Sequence, residues 1–67
     1  KAYESDLAHA LNNLASLHKE TQHLDLAKKE YKEALEIYRS LAKKTPEVFE
    51  SDLAMTFVNY TILHSNS

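Results

Sequence analysis

Apolar residues open the chain at helical spacing. Leu7, Leu11, Leu14 and His18 recur every three or four positions, with Ala8 and Ala15 beside them and Asn12, Asn13, Ser16 and Lys19 turned elsewhere. The pattern predicts an amphipathic helix over residues 4–20 with Leu14 in its buried stripe. Thr21, Gln22 and His23 interrupt it. A stronger stripe follows in Leu24, Ala27, Tyr31, Ala34, Leu35, Tyr38, Leu41 and Ala42, and predicts a second helix over residues 24–44. On the opposite side Lys29 precedes Glu33, and Lys32 precedes Glu36, by one turn; such exposed pairs contribute about 0.2–0.5 kcal/mol each and read as a solvated face. Thr45-Pro46-Glu47 is a start signal: Thr caps free amides, Pro at the first helical position loses no hydrogen bond, and Glu suits the positive end of the dipole. A third helix is expected over residues 46–64. The trailing Ser65, Asn66 and Ser67 offer nothing to bury and are expected to fray.

Composition sharpens this reading. Gly and Cys are absent and Pro occurs once, while Ala, Leu, Glu and Lys abound, which favours an all-α fold and excludes disulfides and thiolate metal sites. The 67 residues make at most one small domain, and a domain of this size buries only about 60% of its unfolded surface, so its own core is marginal. The net charge of −2 is dispersed along the chain, with no basic block of the kind that holds nucleic acid or a membrane surface. No apolar run approaches the roughly 18–20 residues of a membrane span, and no signal-peptide core stands at the start. A cytoplasmic setting and a protein partner are the expectation. Lys1 in place of an initiating Met is what a piece of a longer protein, or a processed end, would show.

Laid on itself, the chain repeats. Tyr3-Glu4-Ser5-Asp6-Leu7-Ala8 returns 46 residues later as Phe49-Glu50-Ser51-Asp52-Leu53-Ala54, and the same offset pairs Asn13 with Asn59, Leu17 with Leu63 and His18 with His64. The third helix is thus a second copy of the first. Two-helix units cannot cover their apolar faces alone and stack on neighbours, so an open face is expected here.

The residues that carry the repeat resemble the tetratricopeptide family. Leu14-Ala15, one turn after Leu11, matches its large–small pair, and Leu24, Ala27, Tyr31, Ala34 and Leu35 match the second helix. The resemblance spans the chain and implies an antiparallel helix-turn-helix repeat followed by the first helix of the next. The period exceeds the usual value of about 34, and the extension through Leu41 and Pro46 is similar to the longer kinesin light chain type. Small residues let paired helices approach closely, so Ala27 and Ala34 are expected to tolerate bulk poorly. Two features depart from the family. Gln22 and His23 stand in a turn where the family often uses Gly, and a non-Gly residue at positive φ costs about 1–2 kcal/mol. Tyr60 and Thr61 replace the large–small pair in the third helix.

Tetratricopeptide arrays bind extended peptides in a groove lined by their first helices. The resemblance puts His9, Asn12, Asn13, Ser16 and Lys19 on or near that surface, with Asn59 repeating Asn13. An Asn amide both donates and accepts, so it can hold a peptide backbone whatever its side chains; the alternative is that both Asn are merely tolerated polar residues. His9, Asn12 and Ser16 stand where a terminal-carboxylate clamp needs Lys or Arg, which argues against that ligand class.

The third helix is apolar nearly all round. Met55, Val58 and Ile62 add a stripe to the one made by Leu53, Phe57, Tyr60 and His64, whereas the equivalents of the added stripe in the first helix, His9, Asn12 and Ser16, are polar. The stripe is either a docking patch or core against another subunit or further repeats. The four histidines form no i,i+4 pair, and His18 and His64 take positions that suit packing rather than ligation. Ser5-Asp6 and Ser51-Asp52 read as capping residues near helix starts. No catalytic, metal or cofactor site is expected. The expectation is a scaffold or adaptor module for a peptide segment, not an enzyme; the alternative is a self-association segment that forms a homo-oligomer through the third helix.

Overall fold

The computed structural model describes residues 2–65 and consists of three α-helices: α1, Ala2–Glu20; α2, Leu24–Lys44; and α3, Pro46–Ser65. No strand occurs among the described residues. α1 starts ahead of the expected residue 4. Ser65 does not fray but closes α3, its hydroxyl donating to the Thr61 carbonyl at 3.1 Å. Lys1, Asn66 and Ser67 lie outside the described residues.

The first turn is a Schellman-type stop. The His23 amide donates to the His18 carbonyl at 2.7 Å and the Gln22 amide to the Lys19 carbonyl at 3.2 Å, a pairing that requires a left-handed residue between them. Gln22 supplies it at φ 69° despite its Cβ. Thr21 reinforces the stop: its hydroxyl lies 3.1 Å from the Leu17 carbonyl and 2.8 Å from His23 Nδ1. The second connection is Thr45 alone. Its amide donates to the Leu41 carbonyl at 2.9 Å and ends α2, while its carbonyl accepts from Val48 and Phe49 and starts α3.

Both α1 and α3 pack antiparallel on α2. Ala27, Tyr31, Ala34 and Tyr38 bury one side of α2 at alternating spacings of four and three. Ala8 meets Ala34 and Tyr38, and Ala15 meets Ala27 and Tyr31. Fully buried alanines let two backbones approach, and the tyrosine rings fill the space between. Leu63 joins one end of this core, with Leu24 and Tyr60 half-buried beside it; Leu11, Phe49 and Leu53 cover the other. The result is thin, with principal extents of 34 × 21 × 13 Å.

Two expectations about register need correction. Leu14, read as buried, is 42% exposed, and Ala15 takes the core position instead; Leu7 and Leu17 are exposed as well. In α3, Phe57 and His64 point to solvent while Thr56 and Leu63 are buried. One geometric fact explains both. The two copies of the repeated helix turn different faces to α2: α1 uses Ala8, Leu11 and Ala15, whose equivalents Ala54, Phe57 and Thr61 are exposed, whereas α3 uses Phe49, Leu53, Tyr60 and Leu63, whose equivalents Tyr3, Leu7, Leu14 and Leu17 are exposed. One helix sequence therefore carries two packing faces, and each copy has one of them covered.

Candidate functional site

The polar side chains of α1 gather on the flank that turns toward α3. His9, Asn12 and Ser16 succeed one another at helical spacing and form one stripe. His9 packs edge-on against Tyr38, ring centroids 5.6 Å apart, and its Nε2 lies 3.6 Å from Asp52 Oδ2 of α3. Ser16 hydrogen-bonds the Tyr31 phenol. The stripe thus runs over the two tyrosines of α2, with α3 on its far side. Asn59 stands two turns after Asp52 on the same stripe of α3 and is half-buried.

The seam is electrostatically uneven. Burial, reinforced by the nearby Asp52 carboxylate, pushes the Tyr38 phenol up to about 12, since a phenolate would sit dry and beside another negative charge. Burial also raises Tyr31, with the Ser16 hydrogen bond working in the opposite direction. Both phenols are neutral at ordinary pH. Among the described residues, the buried Asn12 Oδ1, Tyr38 Oη and Thr56 Oγ1 have no hydrogen-bond partner. An orphaned carbonyl oxygen of this kind costs about 1–3 kcal/mol, and any N–H that reached it would recover that loss.

Of the residues singled out from sequence, His9, Asn12 and Ser16 share one stripe of α1 in this seam, Asn59 is half-buried on α3 two turns beyond Asp52, and Lys19 is half-buried near the end of α1. Asn13 is exposed. Sequence reasoning missed Tyr31, Tyr38 and Asp52 as seam residues because it treated the tyrosines purely as core and Asp52 as a cap. The seven-residue spacing of the tyrosines and the recurrence of Asp6 as Asp52 were the available signals. Met55, Val58 and Ile62 are exposed at 61%, 52% and 43%.

Histidine chemistry is local. His18 Nδ1 lies 2.7 Å from Glu30 Oε1 and ties the end of α1 to α2, rather than filling a purely apolar position. His64 stacks edge-on on Tyr60 with centroids 4.6 Å apart. Among the described residues no three His, Cys, Asp or Glu side chains gather as a metal site, and no helix is long and apolar enough to cross a membrane. Comparison of the chain with protein-family models, with curated proteins and with solved structures finds no match to any of them.

Proposed function

We propose that this chain is a protein-interaction module of tetratricopeptide type that receives an extended peptide segment along the seam between α1 and α3. The observation that carries the reading is the approach of His9 on α1 to Asp52 on α3, on the same α1 stripe as Ser16 and an Asn12 amide oxygen that has no partner. A peptide backbone supplies what such a seam lacks, a regular series of N–H donors and carbonyl acceptors. Asn59 adds an amide from α3, whereas its counterpart Asn13 is exposed on α1 because the two copies turn different faces to α2. The module acts as a scaffold or adaptor element and catalyses nothing itself.

Selection of a random peptide library against the purified chain tests this, with the Asn12→Ala and Asn13→Ala/Asn59→Ala variants as controls and folding checked by circular dichroism. Peptides that bind the parent and lose at least about fivefold in affinity on the folded variants, a loss of about 1 kcal/mol, support the seam. Enrichment that survives all these substitutions, or no enrichment at all, removes the reading.

A second reading has its own observation. Met55, Val58 and Ile62 form an exposed apolar stripe on α3, and such stripes mark contacts with other protein. Under this reading the chain forms a homo-oligomer or packs against further repeats.

A further inference from the structure

A cleft lies away from the seam. It encloses ≈ 460 Å³ between the first half of α1, which contributes Glu4, Leu7 and Leu11, and the second half of α2, which contributes Glu33, Glu36 and Ile37. Among the described residues its lining combines the apolar Leu7, Leu11 and Ile37 with Ser40 and the carboxylates of Glu4, Glu33 and Glu36. The glutamates read from sequence as partners of Lys29 and Lys32 thus also edge a concave surface.

The internal repeat indicates what fits there. Moved forward 46 residues, Glu4, Leu7 and Leu11 become Glu50, Leu53 and Phe57. These three line the second cleft, of ≈ 270 Å³, and the residues facing them across it are Leu35 and Arg39 of α2. The same helix face therefore occurs twice. On α3 it borders a leucine and an arginine one turn apart on α2, with Leu53 half-buried and Phe57 57% exposed; on α1 its Leu7 is 48% exposed. The α1 copy has the added acidity of Glu33 and Glu36, and negative charge around an apolar floor favours a cationic, amphipathic occupant over an anionic one. An arginine suits two neighbouring carboxylates best, because its planar fork pairs with them through directed hydrogen bonds.

We propose that the α1–α2 cleft is a second docking surface, whose occupant is a partner helix carrying a leucine and an arginine one turn apart. The leucine seats on Leu7, Leu11 and Ile37, and the arginine lies among the glutamates at the rim.

The test uses the whole chain and a fluorescein-labelled, end-blocked peptide of the α2 sequence, Leu24 to Lys44, in which Glu33 and Glu36 are replaced by Gln to remove like-charge repulsion. Fluorescence anisotropy should report saturable binding that weakens as salt is raised. Affinity should fall at least about fivefold, the equivalent of about 1 kcal/mol, when the peptide carries Arg39→Glu or the chain carries Glu33→Lys/Glu36→Lys, and Leu7→Asp in the chain should abolish it. The chain substitutions lie on exposed residues, and circular dichroism verifies folding; the peptide substitution leaves the chain untouched and decides the matter if a chain variant unfolds. Backbone amide shifts should cluster at Leu7, Leu11 and Ile37. The proposal is overturned by absence of saturable binding, by binding indifferent to Arg39→Glu and to salt, or by shifts confined to α3. It is equally overturned if the peptide displaces the chain's own α2 or if only a second copy of the chain occupies the cleft.

Discussion

The Tyr38 hydroxyl sits at the centre of the molecule, buried and without a hydrogen-bond partner, and this single atom has two measurable consequences. Its ring is indispensable to the core, whereas its oxygen is a liability. Tyr38→Phe keeps the ring and removes the orphaned group, so stability at neutral pH should rise by about 1 kcal/mol, measured by urea unfolding. The second consequence is a dependence on alkaline pH. The folded phenol is raised to about 12, against about 10 in the unfolded chain, so between those values the folded state holds a proton that the unfolded state has released. Stability attached to this group is therefore complete below about pH 10 and is lost as pH rises toward about 12, a loss on the order of 1–2 kcal/mol. Urea midpoints at about pH 8 and about pH 11 should differ less in Tyr38→Phe than in the parent; an identical drop in both would assign the alkaline instability to other groups. Thr56 Oγ1 and Asn12 Oδ1 share the orphaned condition but not the same setting, since Thr56 belongs to the α2–α3 core and Asn12 to the seam proposed to take a ligand.

At the scale of the element, the test lies in which residue of an adjacent pair faces the partner helix. Ala15 is fully buried against Ala27 and Tyr31, and Leu14 is 42% exposed. Enlarging Ala15 to Leu forces apart two helices whose contact depends on small residues and should cost about 1–3 kcal/mol, whereas Leu14→Ala should stay within about 1 kcal/mol of the parent. Thermal unfolding of the two variants ranks them, and the reverse ranking would rotate α1 by one residue. The same pair shows where sequence reading stops. That three helices form was legible in the 3.6-residue stripes, in the interruption at Thr21 to His23 and in the Thr45-Pro46-Glu47 signal. The register of α1 was not. Its apolar residues cover two faces, Tyr3, Leu7, Leu14 and Leu17 on one and Ala8, Leu11 and Ala15 on the other, and periodicity alone does not say which face the neighbour takes. Side-chain volume favoured Leu14 for the core, but close backbone approach selected the alanines. The seam was partly legible for a similar reason: His9, Asn12 and Ser16 share a helix face in any register, while their convergence with Asp52 and Tyr38 depends on how α3 crosses α2.

For the whole molecule the controlling fact is how much large apolar surface remains uncovered. Leu7, Leu14 and Leu17 on α1 and Met55, Phe57, Val58 and Ile62 on α3 are exposed in a thin three-helix layer whose fully buried side chains are mostly alanines. A small core of this composition gives a marginal fold, and marginal folds gain most from anything that binds the native state alone. If the chain self-associates through Met55, Val58 and Ile62, association removes native monomer from the unfolding equilibrium and the melting temperature must rise with protein concentration. Between about 10 µM and about 500 µM the melting temperature should climb by several degrees and sedimentation should shift to a larger species. Val58→Lys/Ile62→Lys should remove both effects while preserving helicity, because neither side chain contributes to the buried core. A parent chain that stays monomeric with a constant melting temperature across that range would eliminate the stripe as a self-contact. The proposed seam and the acidic cleft would then be the surfaces left to test as contacts for the apolar side chains this thin layer leaves exposed.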